Sequence, residues 1–165
     1  MSETIIRAAT ESDLEAVGRL GALLVKSHHD FDPKRFIAST PQTPQGYASF
    51  LATQLNEPKV VILVAELEGK VVGYVYAGIE GRDYMALRGP AGAIYDILVE
   101  PKHRSIGIGR KLLKSTIDEL EQRGARQIVL STADQNESAQ RLFACEGFRR
   151  TMIEMTRDLD DAQSS

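Results

Sequence analysis

Two apolar runs, residues 94–99 and 127–131, constrain this chain most, through what lies between them. Gly109, Leu112, Leu113, Thr116, Ile117 and Leu120 recur there on one face of a helix, and Gly124 is placed to end it. Strand, helix and strand make a crossover, and a crossover joins parallel neighbours. Residues 94–99 are apolar almost without a break, as expected of a strand buried on both faces.

The remaining pattern surrounds that pair. Residues 5–8 read as a strand. Thr10, Glu11, Ser12 and Asp13 supply capping chemistry for a helix carrying Leu14, Val17, Leu20 and Leu24. Pro41 and Pro44 predict an irregular stretch over 40–46, followed by a helix over 47–55. Residues 60–66 and 71–77 flank Glu68-Gly69-Lys70, a hairpin. Residues 78–92 connect, a helix covers 136–145 up to Gly147, and residues 149–157 read as a last strand. The fold class is therefore α/β (α+β): a single mixed, mostly antiparallel sheet with a central parallel strand pair, flanked by helices. One domain is expected over 1–159, with 160–165 a frayed tail.

Bulk properties exclude several function classes. With 165 residues, 42% hydrophobic and 26% charged, the chain suits one globular unit with a sizeable core. A net charge of −3 argues against nucleic acid as a partner. Its one cysteine, Cys145, offers neither a disulfide nor a zinc cluster and fits the reducing cytoplasm. On that helix Cys145 is expected to be a small buried filler. No metal site is expected. The early acid Glu3 and the short apolar runs predict neither a signal peptide nor a membrane span.

The loop between residue 99 and the crossover helix carries the chemistry. From residue 101 to 117 there is no acid, while Lys102, Arg104, Arg110, Lys111 and Lys114 are cationic. Gly107 and Gly109 let backbone approach a ligand closely, and the first helical turn offers N–H groups and positive potential to a phosphate. The plainer alternative is a solvated helix face with glycines for a tight turn. Two familiar phosphate loops fail: no Gly-Lys-Ser/Thr is present, and Leu112 stands where a dinucleotide fingerprint needs its third glycine.

Arg104-Ser105-Ile106-Gly107-Ile108-Gly109, preceded by Val99-x-Pro101, resembles the cofactor motif of the GNAT superfamily of N-acetyltransferases, Arg/Gln-x-x-Gly-x-Gly/Ala. Asn136-x-x-Ala139-x-x-Leu142-Phe143-x-x-x-Gly147-Phe148 is similar to that family's next helix and strand start, at the right distance. The resemblance is strong over 94–148 and loose before residue 60. It implies an acyl-CoA N-acyltransferase-like fold with acetyl-coenzyme A (acetyl-CoA) as cofactor. It also implies that Arg104, Ser105, Ile106, Gly107, Ile108, Gly109 and Arg110 hold the pyrophosphate. Ile97, Leu98 and Val99 would lie on a strand splayed from its parallel neighbour, pairing with the pantetheine amides. An N–H near Ile97 or Leu98 would polarise the thioester carbonyl. Lys102, Arg110 and Lys111 are the candidates for the 3′-phosphate.

Other residues carry two readings each. Asn136 contacts the pantetheine arm by resemblance, with Asp134 able to cap the helix; by its own chemistry Asn136 is a helix cap. Phe143 stands where the family often has a tyrosine that protonates the departing thiolate, and phenylalanine has no proton to give. Some members place a glutamate at Tyr95, followed by an aspartate at Asp96; here Asp96 alone is acidic. An amine of ordinary pKa near 10 needs a base at neutral pH. Asp96 and Tyr95 are the candidates, on opposite faces if the strand alternates regularly. The other reading of Asp96 is a strand-end carboxylate bonded to a loop. His28, His29, Asp30 and Asp32 are expected in a loop after the first helix, either lining the acceptor pocket or simply exposed. Tyr74, Tyr76, Tyr84 and Arg88 lie where an acceptor would pass, although strand tyrosines are commonly core.

The function implied is acetyl transfer from acetyl-CoA to a primary amine of a small molecule, amino acid or peptide, by direct attack on the thioester. The alternatives are a coenzyme A-binding module without turnover and O- or longer-chain acyl transfer. A second copy of the chain, as a homodimer, is the one macromolecular partner entertained.

Overall fold

The computed structural model describes residues 2–159; the tail expected over 160–165 lies outside the described residues. Five strands form one sheet in the order β1 (Thr4–Ala8), β2 (Val60–Leu67), β3 (Lys70–Glu80), β4 (Ala91–Val99) and β5 (Ile128–Leu130). The first three pairings are antiparallel, and β4 pairs with β5 in parallel, as the crossover requires. The parallel pair lies at one edge, because residues 149–157, expected as a strand, join no ladder. Glu68 and Gly69, with φ of 51° and 76°, make the two-residue turn between β2 and β3.

Strand alternation builds two cores. Val61, Leu63 and Ala65 of β2 face α3 (Ile108–Gln122) and Phe143 of α4 (Glu137–Cys145), whereas Ile62 and Val64 face α1 (Leu14–Phe31) and α2 (Thr43–Gln54). Two glycines let α1 and α2 cross closely. A Cβ on Gly18 would strike the Pro44 carbonyl, and one on Gly21 would strike the Tyr47 ring.

Several boundaries differ from the sequence expectation. Helix α1 continues through His28, His29 and Asp30 to Phe31, because no breaker precedes Pro33; Asp32, restricted by that proline, ends it in extended backbone. Helix α2 begins at Thr43, since Pro44 in a first turn forfeits no hydrogen bond. Cys145 is exposed, on the side of α4 opposite the inward Phe143. Tyr74 is fully buried with its hydroxyl donating to the Tyr47 hydroxyl at 3.1 Å, and Tyr84 is exposed.

An ion cluster ties β1 to the start of α1. Arg7 gives two hydrogen bonds to Asp13, at 2.7 and 2.9 Å, and a third to Glu66 at 2.9 Å. Asp13 is 5% exposed, and Arg7 holds its carboxyl down at about 2. Replacing Arg7 with alanine strands a buried carboxylate, so thermal or urea melts at pH 7 should show a loss of about 3 kcal/mol. A depressed carboxyl stabilises above its ordinary pKa and ceases to do so as pH falls toward 2. The gap between Arg7→Ala and the native chain should therefore shrink between pH 4 and pH 2.

Candidate active site

The β4–β5 ladder runs from Gly92↔Ile128 to Ile94↔Leu130 and stops. Beyond it β4 continues to Val99, still paired with β3, while residues 131–136 turn away. The result is a cleft in which one edge of residues 95–99 lacks a strand neighbour. Ile94, Tyr95, Asp96 and Ile97 line it from β4, Leu130, Ser131 and Thr132 from the other side, and Asn136 and Phe143 from the start and middle of α4. Leu24 and His28, one helical turn apart on α1, close one end. The enclosed volume is about 70 Å³, room for a group of acetyl size. Leu98 and Val99 are buried with their side chains in the two cores, leaving backbone for any ligand.

Regular alternation would put Tyr95 and Asp96 on opposite faces, yet both line this cleft. The cause is a β-bulge: Tyr76 pairs with Asp96 and Ala77 with Ile94, so Tyr95 has no counterpart on β3. Burial raises the Asp96 carboxyl to about 6, with His28 opposing the rise in part. Among the described residues, none of a loop gives a hydrogen bond to the Asp96 carboxylate. Tyr95 donates its hydroxyl to Glu80 at 2.6 Å and rests its ring on Tyr76 at 4.8 Å. Burial, followed by that carboxylate, pushes its ionisation upward. Arg88 pairs with the same Glu80.

His28 belongs to the site as a helix residue. Its Nδ1 lies 2.8 Å from the Leu24 carbonyl, which only accepts, so Nδ1 carries a proton and the neutral ring keeps its lone pair on Nε2. Phe31 and Phe36 meet the ring edge-on at 5.9 and 5.1 Å. His29 instead bonds the Phe36 carbonyl at 2.9 Å, and Asp32 accepts from the Lys34 and Arg35 amides. Ser131, at the end of the strand expected over 127–131, and Thr132 just after it also line the cleft, and neither was expected there.

The glycine loop sits at the far end. Gly107, at φ 89°, is the N-cap of α3, and no side chain caps the helix. The first intrahelical bond runs from the Lys111 amide to the Gly107 carbonyl, so the N–H groups of Ile108, Gly109 and Arg110 point outward from the helix end. Ser105 shares the left-handed conformation at φ 67°, and Ile106 is exposed. Arg104 donates Nε to the Val99 carbonyl at 2.9 Å, fastening the loop to the end of β4. A Cβ on Gly109 would lie 3.4 Å from Leu142, an ordinary contact, so packing alone does not demand glycine there. Arg110 is engaged by Glu146 at 2.5 Å and Lys102 lies 3.8 Å from Glu100, whereas Lys111 makes no ion pair among the described residues. Asn136 Oδ1 accepts from the Ala139 amide at 3.3 Å, making Asn136, rather than Asp134, the cap of α4. Among the described residues its Nδ2 has no acceptor. Phe143 is 6% exposed and packs on Phe148.

A splayed parallel pair, an uncapped helix end and a glycine turn are the arrangement expected of an acyl-coenzyme A-binding acyltransferase. The comparisons agree. The acetyltransferase (GNAT) family model matches residues 22–148, and the chain belongs to that family, whose cofactor is acetyl-CoA. Aminoalkylphosphonate N-acetyltransferase of Salmonella typhimurium is 27% identical, over 93% of this chain and 90% of its own. Mycothiol acetyltransferase of Thermobispora bispora is 34% identical over 56% of this chain, which spans only 31% of that relative's length. Among solved structures, aminoglycoside N-acetyltransferase AAC(6′)-Iy in complex with CoA superposes with a TM-score of 0.74 at 18% identity, over 96% of this chain and 97% of that one. Among the described residues, no helix is long and apolar enough to cross a membrane.

Proposed function

We propose that residues 1–159 act as a single N-acetyltransferase domain, moving an acetyl group from acetyl-CoA to a primary amine. The observation that carries this reading is the half-buried Asp96, lifted to about 6, at the acceptor end of the β4–β5 cleft. The names of the relatives support a small-molecule amine as acceptor. The residues present fit the cofactor. Outward N–H groups at 108–110 and the turn at 104–107 match a pyrophosphate. The unpaired edge of Ile97, Leu98 and Val99 and the free Nδ2 of Asn136 match pantetheine amides. Lys111, without an ion pair, is the candidate for the 3′-phosphate. Acetyl-CoA supplies an activated thioester.

The chain supplies the rest. Asp96 takes the proton that turns the ammonium into a nucleophilic amine, and a carboxyl near 6 is a stronger base than an ordinary one while still ionised at pH 7. His28, with its Nε2 lone pair, is the adjoining acceptor through which that proton leaves. Tyr95, its own proton committed to Glu80, orients the acceptor along the cleft wall. An N–H of residues 97–98 steadies the carbonyl oxygen as charge grows on it. Phe143, which lines the cleft and has no proton to give, would leave protonation of a leaving thiol to solvent. The solitary cysteine supports a cytoplasmic setting.

Titrating acetyl-CoA and following free thiol over a panel of amines tests the reading. Amine-dependent thiol release is expected. Tight binding with no such release would leave a coenzyme A-binding module, and release with alcohols alone would make it an O-acyltransferase.

A further inference from the structure

On β3, side chains 76, 78 and 80 share the face that carries α1 and α2, because Tyr74 and Tyr76 belong to that core and Val75 and Ala77 to the other. Tyr95, the residue that the bulge leaves without a counterpart, lies across all three. Its ring rests on Tyr76 at 4.8 Å, and its hydroxyl ends 2.6 Å from Glu80 Oε1. Gly78 supplies the gap between them. A Cβ there would meet Tyr95 Cε2 and the hydroxyl at 3.5 Å, so a longer side chain would take the place of the ring. Strand β3 thus gives Tyr95 a support, a gap and a hook.

The hook is itself held. Glu80 Oε2 accepts from Arg88, whose side chain is 16% exposed. Arg88 stands at the base of a closed turn: the Asp83 and Arg88 backbones exchange hydrogen bonds of 3.0 and 3.1 Å, and Asp83 Oδ1 accepts from the Met85 and Ala86 amides at 2.9 and 3.0 Å. The hydrogen bond from Tyr95, together with the one from Arg88, keeps the Glu80 carboxyl below its ordinary value despite desolvation. It therefore accepts from both donors at neutral pH. An ion pair across the hairpin needs one of its oxygens. The other is spent on the wall of the cleft, which Tyr95 lines beside Asp96.

We propose, on the basis of the acetyl transfer argued above, that Glu80 is a positioning residue for the acceptor: by holding the Tyr95 hydroxyl across Gly78 it fixes the wall along which the body of the amine lies. Without Glu80 the Tyr95 ring keeps Tyr76 but loses its far anchor, and the acceptor must order that side chain as it binds. The amine touches this wall before and during transfer alike, so the loss falls on KM and spares kcat.

Steady-state kinetics of Glu80→Ala, Tyr95→Phe and the double variant, with the best amine of the panel, test this. Glu80→Ala should raise the amine KM about tenfold, the effect of freeing one side chain. Its kcat should stay within about twofold of native, with acetyl-CoA affinity unchanged. Added to Tyr95→Phe, which already lacks the hydroxyl that Glu80 holds, Glu80→Ala should change KM by less than about twofold. Glu80→Gln keeps an oxygen for that hydroxyl and should return KM to within about threefold of native. An unchanged KM in Glu80→Ala, or the same rise repeated in the Tyr95→Phe background, would overturn the proposal and leave the acetyl transfer standing. A native chain that releases no thiol with any amine would overturn the acetyl transfer, and the role of Glu80 with it.

Discussion

Asp96→Asn should lower kcat/KM for the amine by about 10²–10⁴-fold while leaving acetyl-CoA affinity unchanged, which is the range a positioned base contributes. Asparagine keeps the shape of the side chain and cannot take a proton. The native pH profile should rise with an acid limb near 6, where the Asp96 carboxyl ionises, and Asp96→Asn should flatten that limb. Stability should move the other way. A carboxyl whose folded pKa is raised favours the fold when protonated. Its contribution is full below the ordinary value of 3.8 and is lost as pH rises through about 6. At pH 7 the native protein therefore carries a desolvated charge, and Asp96→Asn should relieve at most about 3 kcal/mol of it. Thermal melts at pH 5 and pH 8 check this: the variant's advantage should be larger at pH 8. A residue of merely structural value would lose both activity and stability together.

Arg104→Glu should weaken acetyl-CoA binding by at least about 100-fold, measured by calorimetry, with little change in melting temperature. Two effects combine. The hydrogen bond from Arg104 to the Val99 carbonyl is lost, loosening the loop, and a carboxylate is set beside the N–H groups that await a pyrophosphate. Arg104→Gln retains a donor without charge and should fall between. Gly109→Ala serves as the contrast, because its Cβ meets Leu142 at an ordinary distance and should be tolerated. Undiminished affinity in Arg104→Glu would show that the pyrophosphate sits elsewhere.

The cofactor end was legible in the sequence because its determinants are local. A left-handed glycine, a helix start and an apolar strand are adjacent along the chain, so the turn and helix start over 104–110 follow from the pattern, while their role toward a pyrophosphate comes from the family resemblance. The acceptor end was not, and the reasons are specific. Tyr95 and Asp96 share a cleft through a bulge that exists only in the register of β4 against β3. His28 reaches the cleft because α1 runs on to Phe31, and polar residues at the end of a helix read like a loop until the next proline is weighed. Pro44 misled in the opposite sense, suggesting irregularity where it opens a helix. Residues 149–157 read as a strand by composition, yet they join no ladder, since Arg35 draws Glu154 toward the end of α1.

The glycine crossing of α1 and α2 has a further consequence for how such a site can change its preference. Gly18 and Gly21 let the helix carrying Leu24 and His28 approach its neighbour so closely that a Cβ at either glycine would collide. On the proposed reading, Leu24 and His28 would present the variable side chains of the acceptor end on a helix whose contact with α2 is set by glycines elsewhere.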